Sequence, residues 1–200
     1  MSKAKKAPNP LLPLSVSSEA LLVDGSDIEF RELVHDMLAF GAIVQDVRNR
    51  LGALIGLSGT QYTILMAIAR LADRASNLGV NELARHLHLS GAFVTIEVNN
   101  LVNEGLVSKI ANPEDRRRVV LSLTQEGQLK LNQLGQVQQP ANDSLFGDLT
   151  RAEFLALRKI MSKLAGTGPS TTALINFIAP DGQLPAQSGV KRPRKMAAGR

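Results

Sequence analysis

The side chains best able to do chemistry in this chain gather in its middle. Arg116-Arg117-Arg118 sets three guanidinium groups in a row, directly after the turn-forming run Pro113-Glu114-Asp115. That density of positive charge suits phosphate. Upstream, Ser90, Thr95, Asn99 and Asn100 supply hydroxyls and amides of the kind that read base edges. The other candidates are less well defined. His86 and His88 are two residues apart, a spacing that fits neither an i,i+4 metal pair nor a finger, so no metal is expected. The chain has no cysteine, which excludes a thiol nucleophile, a disulfide and Cys-ligated zinc. There is no glycine-rich phosphate loop, no GxSxG elbow and no acid pair in an apolar setting. Neither an enzyme nor a bound cofactor is expected.

The elements that must position these residues are mostly helices. Asp27 is placed to N-cap a first helix. Ile28, Leu33, Val34, Met37, Phe40, Ile43, Val44, Val47 and Leu51 follow, mostly at three- and four-residue steps. They form one apolar stripe over about six turns. Residues 61–71 are almost wholly apolar and belong in the core. A short third helix over 81–87, a tight turn at His88-Leu89-Ser90 and a fourth helix over 91–104 come next. Ser90 N-caps the fourth helix and Gly105 closes it. The period then changes to two, giving strands over 106–110 and 118–123 around a turn at 111–117. Thr124 caps a fifth helix to about Gln139, where Pro140 is expected to stop or kink it. Thr150-Arg151-Ala152-Glu153 is a capping box. It opens a last helix with Phe154, Leu157, Ile160, Met161 and Leu164 on one face.

The chain has 200 residues, a net charge of +5 and 44% hydrophobic residues, which suits one domain with tails. The charge is uneven. Residues 28–167 carry 15 bases against 14 acids, whereas 168–200 carry five bases against Asp181 alone. Residues 1–27 mix Pro, Ser and Leu and read as an arm, part of it packed on a partner subunit. Residues 166–200 hold Gly166, Gly168, Pro169, Pro180, Pro185 and Pro193 and read as a disordered end, with 171–178 as one short docked element. Lys191-Arg192-Pro193-Arg194-Lys195 either solubilises the chain or touches DNA weakly. No apolar run approaches the roughly 18 residues of a membrane span. Pro8, Pro10 and Pro13 interrupt the leucines after the basic start, so a cytoplasmic location is expected rather than secretion.

A short helix, a tight turn, a second helix and a basic hairpin make a winged helix-turn-helix. The second helix of such a pair can enter the major groove, and the hairpin can reach the flanking minor groove. The run Leu89-Ser90-Gly91-Ala92-Phe93-Val94-Thr95, then Leu101, then Glu104-Gly105-Leu106-Val107, resembles the MarR (multiple antibiotic resistance regulator) family. So does Asp115-x-Arg117-x-x-x-Leu121-x-Leu123-Thr124. The resemblance spans about residues 28–165. It implies a homodimeric DNA-binding repressor or activator that dimerises through its first and last two helices. It also implies release of DNA on binding a small, often aromatic, acid or phenol. His35 and Tyr62 lie on the helices that would border such an effector pocket, where a lone His or Tyr also serves as a structural group.

The sequence departs from the family pattern in the recognition helix, which usually carries an Arg or Lys. Here Gly91, Ile96 and Asn103 occupy such slots, and Glu97 and Glu104 add negative charge. Base readout then falls to Thr95, Asn99 or Asn100, with Ser90, Gly91 and Ala92 at the helix start close to DNA. Phosphate attraction falls to Arg116, Arg117 and Arg118. Residues two apart in extended backbone point the same way, so Asp115 can hold the guanidinium of Arg117.

The expected fold is mainly α, a winged helix-turn-helix with a two- or three-stranded β-wing and a helical dimerisation region. The expected division is an arm over 1–27, a domain over 28–165 and a flexible basic tail over 166–200. Within the domain, the DNA-binding lobe covers about 60–124 and the dimerisation helices about 28–51 and 125–165. Expected partners are double-stranded DNA with a pseudo-palindromic operator, a second copy of the chain and a small-molecule effector, with no membrane. The alternative is a winged-helix interaction adaptor without specific DNA binding, motivated by the weakly basic recognition helix.

Overall fold

The computed structural model describes residues 12–72, 77–112, 119–180 and 182–183. The chain divides into two compact units, one up to Ser144 and one from Leu145. The first holds a 3-10 turn at Glu19–Leu21, then α1 (Ile28–Leu54), α2 (Gly59–Ala72), α3 (Val80–Leu87) and α4 (Gly91–Asn103). The strands β1 (Val107–Ala111) and β2 (Val119–Leu123) follow, and α5 (Gln125–Phe146) ends two residues past the boundary. The second unit holds α6 (Arg151–Ile178).

The core of the first unit forms around α2, whose Tyr62, Ile64, Leu65 and Ile68 are buried. Leu83 and Ala84 of α3 join the same cluster, as do Val94, Val98 and Leu101 of α4 and Leu106, Val107 and Leu121 of the hairpin. Each fully buried aliphatic side chain contributes about 1.5–3 kcal/mol. The helix α1 enters this core only at its end, through Leu51 and Gly52. Most of its stripe, including Leu33, Val34, Met37, Phe40 and Ile43, is exposed. In α6 no residue is buried, and Phe154, Leu157, Ile160, Met161 and Leu164 all face outward.

The hairpin is antiparallel, with Val107 opposite Leu123 and Ala111 opposite Val119. It has two strands. The Leu121 N–H also donates to the Leu78 carbonyl at 2.9 Å, one rung that ties β2 to the segment before α3. The expected winged helix-turn-helix is therefore present in its helices and strands. Asp115, Arg116, Arg117 and Arg118 at the hairpin turn lie outside the described residues.

Two expectations are corrected and a third is narrowed. Asp27 stands at the start of α1, but its carboxylate caps nothing. It accepts instead from the Ser15 N–H at 2.7 Å, the Ser15 hydroxyl at 2.6 Å and Arg31 Nε at 2.8 Å. These donors, Ser15 first, hold its pKa down to about 2, and they fasten residues 13–15 of the arm to the same chain. Of the two outcomes expected at Pro140, a stop is ruled out, because the fifth helix runs through it to Phe146; one proline removes one rung of a ladder that has many others. The stretch expected to be disordered from Gly166 onward is helical as far as Ile178. There the hydroxyls of Thr167, Ser170, Thr171 and Thr172 donate to carbonyls three or four residues back. The hydroxyls are thus satisfied within the helix, although such back-bonding itself slightly weakens and bends a helix rather than holding it. The basic run at 191–195 lies outside the described residues.

One joint links the recognition elements to α5. Gly105 adopts φ +73°, the left-handed conformation that ends α4 at little cost for glycine. Thr124 then donates its N–H to the Leu106 carbonyl at 3.1 Å and its hydroxyl to the Gly105 carbonyl at 2.7 Å. Its Oγ1 also accepts from the Gly127 N–H at 3.0 Å, the expected cap. A Cβ on Gly127 would stand 2.3 Å from the Leu106 carbonyl oxygen, a backbone atom that cannot swing aside. Gly127→Ala is therefore expected to destabilise the fold by about 1–3 kcal/mol, the range for overpacking. A shift of the urea midpoint with unchanged slope would register it.

Candidate nucleic-acid interface

The turn between α3 and α4 is built by local bonds. His88 sits at φ 54°, and the Leu89 N–H donates to the Ala84 carbonyl at 3.0 Å. The Ser90 hydroxyl accepts from the Phe93 N–H at 3.2 Å, as expected of the N-cap. With Val94, Val98 and Leu101 buried, helical periodicity leaves Ala92, Ile96, Asn99 and Asn103 on the outward face, where all four are exposed. Gly91, Thr95 and Asn100 are half-buried beside them.

The polar groups of this face are already engaged. The Thr95 hydroxyl donates to the Gly91 carbonyl at 2.7 Å, so its methyl and its oxygen lone pairs are what remain for a partner. Asn100 Nδ2 donates to Glu97 Oε2 at 3.3 Å. Asn99 Oδ1 accepts from Lys109 Nζ of β1 at 3.0 Å. Lys109 escaped the sequence reading because it lies ten residues downstream in another element. A cation in the first strand of the hairpin, two residues after buried Val107, was its only signal.

A cleft of about 600 Å³ is lined by Arg48, Thr63, Met66, Ala67, Arg70 and Leu87 among others. Arg48 Nε donates to Thr63 Oγ1 at 2.6 Å, and its guanidinium lies 4.9 Å from the centre of the Tyr62 ring, a cation–π distance. Burial pushes the Arg48 pKa down and the Tyr62 pKa up. No carboxylate among the described residues pairs with Arg48 or Arg70. His35 is exposed on α1 and Tyr62 is a core residue, and neither lines this cleft. The cleft had a sequence signal that went unread: Thr63, Met66 and Arg70 share one helical face at steps of three and four.

The comparisons with known proteins agree with this geometry. Residues 55–118 match the model of the MarR family. Over this stretch the chain carries a MarR-family domain. It is 27% identical over 135 residues to the HTH-type transcriptional repressor MdtR of Bacillus subtilis, covering 67% of this chain and 86% of that one. Among solved structures it is similar to a mutant MarR of E. coli complexed with operator DNA, at a TM-score of 0.55 and 25% identity, covering 68% of this chain and 94% of the other. The regulator BldR of Sulfolobus solfataricus matches at a TM-score of 0.56 and 25% identity, covering 68% and 96%. In this winged fold α4 takes the place of the second helix of the helix-turn-helix and β1–β2 that of the wing.

One contact crosses from the cleft to the helix-turn-helix: Arg70 of α2 donates to His86 Nε2 of α3. Partial burial, then the charges of Arg70 and His88, lower the His86 pKa below 6.5. A histidine held neutral in this way contributes its full stability above the ordinary value of about 6.5 and loses it as pH falls below that. His86→Gln keeps an acceptor for Arg70 without a titrating ring. Urea midpoints measured across mildly acidic pH should fall less steeply for His86→Gln than for the wild type.

Proposed function

We infer that this protein is a DNA-binding transcriptional regulator, acting as a homodimer on a pseudo-palindromic operator and tuned by a small-molecule effector. The observation that carries the reading is the outward face of α4, capped at Ser90 and bearing Thr95 and Asn99, beside a wing whose first strand carries Lys109. Helix N-termini attract phosphate, so Ser90, Gly91 and Ala92 suit contact with the DNA backbone. Thr95, Asn99 and Asn100 suit base edges. Arg116, Arg117 and Arg118 suit the flanking minor groove, with Asp115 pre-ordering Arg117. The exposed apolar stripes of α1 and α6 favour a second copy as partner, in an interface above roughly 2,000 Å² of total buried area. The arm over 1–27 and the lobe and dimerisation helices from residue 28 belong to the same proposal, with the last helix extended to Ile178 and the tail following it instead of starting at 166. A regulator rather than an enzyme is part of the same proposal, as is a cytoplasmic site of action. No single helix among the described residues is long and apolar enough to cross a membrane.

Selection from a random DNA pool, followed by anisotropy titration at two salt concentrations, tests the reading. A pseudo-palindromic preference is expected, with half-sites about 10 bp apart or a multiple. Thr95→Ala should weaken the selected site by ~1 kcal/mol through loss of its methyl contact. An interaction adaptor would bind every sequence alike.

The effector site fits the Arg48–Arg70 cleft better than the surroundings of His35. Two guanidinium groups with no carboxylate partner among the described residues, over a wall of Met66, Ala67 and Leu87, suit a small carboxylate with an apolar or aromatic body. Benzoate-class acids should bind, by calorimetry, and lower the affinity for the selected operator. Arg48→Met should abolish that binding while the protein still takes up DNA.

A further inference from the structure

Residues 91–104 contain no Lys, Arg or His, so any cation on the outward face of α4 comes from a neighbouring element. Lys109 is such a cation, and it is not merely nearby. Its Nζ lies 3.0 Å from the amide oxygen of Asn99. An ammonium has three donors and no acceptor, so chemistry alone requires the amide to turn its oxygen toward Lys109. The two N–H donors of Nδ2 are then directed away from the wing. The next residue is fixed in the opposite sense. A Glu97 carboxylate can only accept, so Asn100 gives it Nδ2 at 3.3 Å and keeps its oxygen free. Two consecutive amides on the recognition helix are thus held with opposite polarity by two charged neighbours.

We propose that Lys109 is a positioning residue that sets the base preference of this protein by holding Asn99 as a pure donor toward DNA. This rests on the DNA-binding reading above. An asparagine free to present both ends of its amide pairs bidentately with adenine, giving its N–H to N7 and accepting from the N6 amino group. With its oxygen turned to Lys109, Asn99 presents its N–H groups on the side away from the wing, and the oxygen's second lone pair stays on the wing side. Guanine presents two acceptors, N7 and O6, in the same groove, and adenine presents N7 beside an amino group that meets no acceptor. Guanine is therefore favoured over adenine opposite Asn99, although asparagine is ordinarily an adenine reader.

The test is a base-preference profile by selection from a random DNA pool, using the full-length wild type, Lys109→Met, Lys109→Arg and Asn99→Ala. Asn99→Ala should flatten the preference at one position of each half-site, which identifies the contacted base. At that position the wild type should prefer guanine. Lys109→Met keeps the aliphatic stem and frees the amide, and the guanine-to-adenine ratio should fall by roughly fivefold or more, the low end of what a base contact discriminates. Lys109→Arg again supplies only donors and should keep guanine. In the Asn99→Ala background, Lys109→Met should leave the profile unchanged. If Lys109→Met instead weakens every sequence equally with an intact profile, Lys109 is a phosphate contact and the proposal is wrong. The same follows if Asn99→Ala changes no position. A wild type with no sequence preference would remove the DNA-binding reading itself, and this inference with it.

Discussion

Burial of α2 is the constraint on which the other elements depend. A largely apolar helix can give little of its surface to water, so apart from the Thr63, Met66 and Arg70 face that lines the cleft it must be covered. The end of α1, both helices of the helix-turn-helix and the hairpin provide the cover. Each of them is positioned by where it meets α2. The recognition helix projects because Val94, Val98 and Leu101 satisfy this requirement on one side, leaving the other side free of any packing role. Function in this protein occupies surface that the core does not need.

Secondary elements with strong local signals were legible from the residues alone. Ser90 caps α4, Thr124 caps α5, and Thr150 with Glu153 forms the expected box at the start of α6. The errors came where a local rule met a competing one. Asp27 is a good capping residue, yet Ser15, twelve positions earlier in the chain, offered its carboxylate two donors. Gly166, Gly168 and Pro169 read as helix breakers, yet the helix runs on through them to Ile178. Pro140 does not act as a stop either, a breaker too isolated to outweigh the turns on either side.

The candidate site was only half legible, for a related reason. Helical spacing and turn chemistry are written in neighbouring residues, so Ser90, Thr95 and Asn99 could be placed on α4 in advance. What those side chains do in the free chain depends on residues far away in sequence. Asn99 is bonded to a strand, Arg48 to a different helix through Thr63, and Arg70 to the first helix of the motif. No periodicity reports such pairs. The engaged state of Thr95, Asn99 and Asn100 also means that these groups reach a ligand already oriented, which lowers the entropy lost when a further contact forms.

The joint at Gly105, Leu106, Thr124 and Gly127 has a mechanical side. Most helix contacts are cushioned by side chains that can change rotamer, so small displacements are absorbed before they travel. Here the backbone of Gly127 meets a backbone carbonyl with no cushion between them, and two hydrogen bonds from Thr124 pin the adjoining residues. Such a contact has very little compliance. The helix that starts there is 22 residues long, about 33 Å at 1.5 Å per residue. A displacement of its first turn therefore passes to the exit of α4 and the base of the wing with little slack, and a reorientation of α4 passes back to that turn in the same way.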